Sequence, residues 1–352
     1  MNKSIQAFRG VAFLFVFMIH AWGFFAHQYW GKAYPKELVI GTQMAVSFFI
    51  ILSGFLFGLK NIEDGSRSTL WRNGWKRIKR FYPIYFLTFL VMFIVPIRQF
   101  FLEGASFDLM YWCRHAIYTV FMIQSWIPVG YYSFNGVGWF LSTIVALTVI
   151  STPLFMILNR IERNSGKMFI LILIGGTAIN LVWSGLIHFC FCGVYDEFLI
   201  YIFPLARVSE YTCGMALGLH LKTKRLLIYT KGEMLALFVF LFSFMVVIWM
   251  KVPDYLTRST VWVLPSSFLL YIFWNSDGWV TKMLSKSILY YLGNISYEAF
   301  LFHYPILYIL SMSVPCYLGN IYISVGIVIY GFVITCLVSS LYCGKNVNGS
   351  KR

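Results

Sequence analysis

Charge is what this 352-residue chain has least of: Asp, Glu, Lys and Arg together make up 12% of it, and only 13 residues are acidic against 28 basic. A soluble domain carries about a quarter charged residues and about half apolar ones. Here 59% are apolar and 20% aromatic, which excludes a soluble globular domain. The seven cysteines (Cys113, Cys190, Cys192, Cys213, Cys316, Cys336, Cys343) form no C-x-x-C pair and no metal-ligand spacing with histidine. They read as small apolar residues, and no metal site is expected. Linkers, low-complexity tracts and an inverted half-to-half repeat are also missing. One membrane domain over 1–343 with a short cytoplasmic tail over 344–352 is expected. The first apolar segment has no small-residue cleavage site and runs on into Trp22, Phe24, Phe25 and Trp30, so it is expected to stay on the protein.

Long apolar runs are what the chain has instead. A membrane-crossing helix needs about 20 mostly apolar residues, and ten such stretches follow one another: 5 to 25, 39 to 59, 81 to 101, 137 to 158, 168 to 189, 198 to 220, 234 to 250, 259 to 275, 287 to 312 and 317 to 342. Continuous runs, instead of short alternating ones, exclude a membrane barrel. The expected fold class is all-α, a polytopic membrane helical bundle of about ten transmembrane helices. The stretch 102–136 is aromatic-rich and is expected to be a re-entrant or surface-lying element.

Placement of the basic residues sets the orientation, since cytoplasmic loops carry the excess of Lys and Arg. With the N-terminus inside, cytoplasmic segments hold 20 of the 28, among them seven between Lys60 and Arg80. Outer loops hold six: Lys32, Lys36, Arg98, Arg114, Lys251 and Arg258. Arg9 and Arg207 fall within spans. Both termini are therefore expected in the cytoplasm. The net charge of +15 is mostly this topology signal, so no nucleic-acid partner is expected; the counterions are anionic headgroups of the lipid bilayer.

Ionisable residues inside spans are costly and mark function by default. Arg9 and His20 are 11 residues apart in the first span, so they lie about 20° apart around the helix with about 16 Å of rise between them. Snorkelling of Arg9 to the headgroups, with His20 bonded to a neighbouring helix, is the bland alternative. Arg207 and Glu210, at i and i+3, share a face and neutralise one another, either as a structural ion pair or beside a site. Glu298 and His303 lie about 140° apart on one helix, so at most one of them faces the site that His20 faces. His27, His188 and His220 read as interfacial. Gly54 and Gly58, and Gly214 and Gly218, have the spacing that lets helices approach closely. The run Arg72, Lys76, Arg77, Lys79, Arg80 is either ordinary positive-inside charge or a landing site for a phosphorylated donor.

The stretch AFRGVAFLFVFMIH, with Arg9 and His20, resembles the first span of the acyltransferase-3 family of bacterial membrane proteins. VSFFIILSGFLFG, RIKRFYPIY, GWFLS, ARVSEYTCGMALG and YLGNISYEAFLFHYPIL resemble five further family motifs in the family's order, across nearly the whole chain. Two positions depart from many members, Ser47 and Ile144, where an acid is common. Both departures count against mechanisms that rely on those carboxylates. They fit the branch reading W-F-L, whose members often modify sugars of surface polysaccharides.

The resemblance implies a multi-pass protein of the bacterial cytoplasmic (inner) membrane that transfers an acetyl group from acetyl-CoA to a hydroxyl of a cell-surface or lipid-linked polysaccharide sugar. Acetyl-CoA is then a substrate, no cofactor is bound, and the partners are acetyl-CoA and a carbohydrate acceptor. Arg9, Arg77 and Arg80 are expected to receive the donor phosphates. His20 is expected to act as general base or to carry the acetyl group, with Glu210 as its partner and Arg207 holding Glu210 ionised. Ser53, Trp139, Ser142, Glu298 and His303 are expected as pocket or support. The rival reading is a transporter or flippase of a lipid-linked saccharide, in which the same Arg, Glu and His form a substrate path. The acceptor sugar and the oligomeric state are left open.

Overall fold

The computed structural model describes residues 2–27, 31–60, 67–103, 108–164, 168–223, 229–313 and 320–349. Cys316, Trp30, the start of the last expected span at 317–319 and the charges Lys167, Lys224, Arg225, Lys351 and Arg352 lie outside them. Among the described residues the regular elements are helical and no strand occurs. The long rods are α1 (Lys3–Ala21, continued by a π turn at Trp22–His27), α2 (Lys36–Lys60), α3 (Arg67–Glu103), α4 (Leu109–Val120), α5 (Gly138–Asn164), α6 (Met168–Cys190), α7 (Val208–Thr223), α8 (Thr230–Trp249), α9 (Val263–Trp274), α10 (Ile288–Ser313) and α11 (Ile321–Gly349). The expected spans overlap these rods, the sixth, 198 to 220, only over its second half, and α4 occupies the connecting stretch. Among the described residues, seven helices are long and apolar enough to cross a bilayer. The remaining three stretches differ for visible reasons: one is broken, α9 is short, and α10 carries Asn294, Glu298 and His303.

Lipid tails provide no hydrophobic force between helices, so close packing decides which helices pair. α2 and α7 meet through the two glycine pairs: a Cβ on Gly54 or Gly58 would overlap the backbone of Tyr211 or Met215, and one on Gly214 or Gly218 that of Ile51 or Phe55. α1 and α10 meet the same way through single glycines, Gly10 against the Leu289 carbonyl and Gly293 against that of Gln6. In both pairs the helices run parallel. Large apolar side chains on α6, α8 and α11, such as Leu171, Phe238 and Ile329, are more than half exposed and offer the lipid-facing surface.

The sixth expected span is not one helix. A π segment, Glu197–Ile202, ends at Phe203, Pro204 opens a 3-10 turn to Arg207, and only then does α7 begin. Proline has no N–H to continue the ladder. Side chains take up the freed carbonyls: Thr143 donates to Ile202 O at 2.9 Å and Trp183 to Leu199 O at 2.9 Å. The break sets Arg207 at the end of the 3-10 turn and Glu210 in the first turn of α7. In α10, Pro305 likewise leaves the carbonyl of Leu301 without its helical donor, and Asn135 donates to it at 3.1 Å.

The connecting stretch folds back over the bundle. Asp108 caps α4 by accepting from Tyr111 N at 2.9 Å. Tyr85 donates to Thr119 O at 2.7 Å and receives Gln124 Nε2 at 2.8 Å, tying the stretch to α3.

Candidate active site

α1 lays out the site. Its start is fixed by Asn2, whose side chain accepts from Ser4 N at 3.0 Å and donates to Phe273 O at 2.7 Å. From this anchored end the helix carries Arg9 first and His20 about 16 Å further on. The glycine contact between α1 and α10 then determines what each of them meets.

Near the N-terminal end, half-buried Arg9 is held within its own helix, donating to Gln6 Oε1 at 2.8 Å. It lies within electrostatic reach of Glu298 and Arg80. Glu298 is buried, whereas Arg80 is exposed. Arg77 donates to Ser53 Oγ and sets its guanidinium 5.5 Å over the Phe81 ring. Arg9 of α1 and Arg80 of α3 thus sit around the buried Glu298 carboxylate, and Arg77, one turn before Arg80 on α3, adds a third cation at this end of the bundle. Such a cluster keeps an excess of positive charge that suits an anionic, phosphate-bearing ligand.

Toward the other end, half-buried His20 has its ring 5.2 Å from that of His303 and 5.3 Å, edge-on, from that of Tyr304. His303 is fully buried among Phe13, Phe17 and Phe300. Its Nδ1 lies 3.1 Å from the Ala299 carbonyl, which can only accept, so Nδ1 carries the proton. Nε2 of His303 is then a lone-pair acceptor, and it has no hydrogen-bond partner among the described residues. The pair therefore consists of one accessible imidazole backed by one buried imidazole of defined tautomer. Glu298 and His303, on one helix, serve the two ends separately, Glu298 beside Arg9 and His303 beside His20.

Glu210 stands elsewhere. Its carboxylate pairs with Arg207 at 3.0 Å, both side chains fully buried, and Ser47 of α2 is the further partner in reach. The physical reason is the glycine seating: Gly214 and Gly218 dock α7 on α2, whereas Gly10 and Gly293 dock α1 on α10. The residue brought to His20 is therefore His303 in place of the expected Glu210. Arg207 also donates to Arg258 O at 3.1 Å and lies 5.0 Å over the Tyr201 ring, against which Trp139 packs at 5.2 Å. Trp139 thus buttresses this second cluster. Ser142, expected in the pocket, is fully buried and bonds Ser125 Oγ and Met122 O, both at 2.6 Å, which ties the connecting stretch to α5.

Tyr304 and Tyr201 are the neighbours that sequence reasoning missed. Tyr304 adjoins the expected His303 in the chain, and the only available signal was that adjacency. The interfacial histidines stay apart from the site: His27 meets Lys32 O, His188 meets Asp196 at 2.7 Å and His220 stacks on Phe169.

Residues 2–342 match the family model described as an acyltransferase domain. A protein of Acidianus two-tailed virus, named as a candidate acetyltransferase (ORF330), is 26% identical over 305 residues, covering 86% of this chain and 82% of the viral protein. The acyltransferase MdmB of Streptomyces mycarofaciens is 31% identical over 163 residues, covering 45% of this chain and 40% of its own length. No solved structure matches the chain. With the six ordered motifs, the apolar rods and a family match over nearly its full length, the chain belongs to the acyltransferase-3 family and is a multi-pass membrane enzyme that transfers acyl groups.

Proposed function

We propose that the enzyme is an O-acetyltransferase of the bacterial cytoplasmic membrane, moving an acetyl group from acetyl-CoA to a hydroxyl of a cell-surface or lipid-linked polysaccharide sugar. The chain crosses the membrane ten times with both termini in the cytoplasm. One observation carries this reading: a single helix joins a cation cluster at the N-terminal end to an accessible imidazole about 16 Å deeper. A bulky anionic donor can stay at the cytoplasmic end while its thioester reaches inward.

Arg9, Arg77 and Arg80 receive the donor phosphates as charge-assisted contacts. An unprotonated ring nitrogen of His20 takes the proton of the acceptor hydroxyl as its oxygen adds to the thioester carbonyl carbon. The tetrahedral intermediate collapses, the C–S bond breaks, and the leaving thiolate recovers the proton from the His20 imidazolium. His303 is a positioning residue: a small rotation lets its Nε2 accept the remaining N–H of His20, fixing the reactive tautomer and stabilising the imidazolium.

The test is O-acetyl analysis of surface polysaccharide in a deletion strain restored with wild type or with His20→Ala at matched expression. Acetyl lost on deletion, regained with wild type and absent with His20→Ala supports the reading. Unchanged acetylation with polysaccharide missing from the surface overturns it in favour of transport.

A further inference from the structure

A cavity of about 350 Å³ opens beside the active site on the side away from Arg9. Its walls come from α3, from α4 of the connecting stretch, from Ser133 and Phe134, and from Tyr304 and Tyr308 of α10. Tyr304 is a shared wall, because its other edge meets the His20 imidazole at 5.3 Å between ring centres. Gly136 lies directly against the Tyr304 ring, so the loop that closes the cavity also holds that wall in place. The cavity and the imidazole are thus separated by one aromatic ring.

The lining divides into flat apolar faces and a small set of directed polar groups. Tyr111 stacks on His115 with ring centres 3.8 Å apart, and Trp112 packs on Phe93 at the same separation. Polar groups are the Asp108 carboxylate at the head of α4 and the bonded pair of His115 Nδ1 and Ser133 Oγ. Burial, and then the neighbouring Arg114, lower the pKa of His115, so its imidazole is neutral at neutral pH. The polar lining is therefore acidic overall, and the guanidinium of Arg114 lies out over Tyr111 at 6.0 Å. A phosphate-bearing donor is disfavoured here by the carboxylate, and a plain alkyl chain would make no use of the free acceptor capacity of Asp108 or of the Ser133 hydroxyl. The volume is at the small end of ligand pockets, which run from about 300 to 1,000 Å³. One compact ring with apolar faces and a hydroxylated edge fits both the size and the chemistry.

We propose that this cavity is the acceptor chamber, holding one neutral sugar ring between Tyr111, Trp112 and Tyr304 with its hydroxyls directed to Asp108 and Ser133. The ring enters from the end of the bundle opposite Arg9 and presents one hydroxyl past the edge of Tyr304 to His20. This deepens the transferase reading and rests on it for the word acceptor. The carbohydrate site itself is independent of it.

The test uses saturation-transfer NMR on the purified protein in lipid nanodiscs with the methyl glycosides of glucose, galactose, mannose and rhamnose. No acyl donor is added, so the experiment reads the cavity alone. At least one glycoside is expected to give a difference signal with wild type that falls at least fivefold in Tyr111→Ala and in Asp108→Asn. Asn keeps the helix cap, and Tyr111→Phe, which keeps the stacking face, should stay within twofold of wild type. Equal signals from all four proteins, or none with wild type, overturn the chamber. Loss of acetyl transfer with these signals intact would instead count against the transferase reading.

Discussion

Arg9 and Glu298 separate a binding role from a structural one. Arg9→Gln removes a half-buried cation beside a carboxylate that is 7% exposed. Breaking a buried pair from one side costs roughly 3–5 kcal/mol. With exposed Arg80 still in reach of Glu298, the expected loss is smaller, about 1 kcal/mol of stability. A charge-assisted contact to a phosphate contributes roughly 1.5–3 kcal/mol, equivalent to about 10- to 150-fold in donor affinity. The two effects are separable in a four-protein set: wild type, Arg9→Gln, Glu298→Gln and the double variant. Each is assayed in nanodiscs for donor KM, kcat and thermal midpoint. Arg9→Gln should raise donor KM about 10- to 150-fold and lower the midpoint, and Glu298→Gln should not raise KM. The double variant should regain the midpoint but keep the raised KM, since no cation has returned to the phosphate site. Recovery of KM together with stability in the double variant would show that Arg9 only neutralises Glu298, and would refute the reasoning.

His303→Gln should lower kcat by about 10- to 100-fold with donor KM within twofold of wild type, since misplacing a reacting group by an ångström costs about that much; equal kcat would remove His303 from the site. Gly214→Leu should depress the thermal midpoint, because overpacking costs about 1–3 kcal/mol and the new side chain meets the backbone of Ile51. Gly175→Ala, with open space around it, is the control and should not. Single-cysteine proteins retaining exposed Cys113 or Cys190 should react with an impermeant maleimide in intact cells, whereas Cys343 should react only after lysis. Labelling of Cys343 from outside would overturn the orientation.

What was legible from the amino acids follows the range of the forces involved. Arg9 and His20 share a face because one helix carries both, a matter of local geometry, and the i, i+3 pairing of Arg207 with Glu210 is local too. Gly54, Gly58, Gly214 and Gly218 marked their interface by spacing, but spacing does not say which helix answers which. Gly10 and Gly293, isolated glycines without an i+4 partner, gave no such signal, yet they decide that α10 and not α7 faces His20. This is why Glu210 was assigned to a histidine that it does not meet. Pro204 announced a break that the apolar count over 198–220 passed over. Ser142 was assigned to the pocket by motif position, whereas its hydroxyl serves the fold of the connecting stretch, a long-range arrangement with no local trace. The bond from Asn135 to Leu301, made necessary by Pro305, had no signal beyond that proline.

The central claim is that His20 performs the transfer. Its most direct test is the rate at which purified enzyme in nanodiscs moves labelled acetyl from acetyl-CoA to polysaccharide extracted from the deletion strain. His20→Ala should lower kcat by about 10²- to 10⁴-fold, the usual worth of a general base, with donor KM unchanged. Transfer by His20→Ala at the wild-type rate would contradict the account.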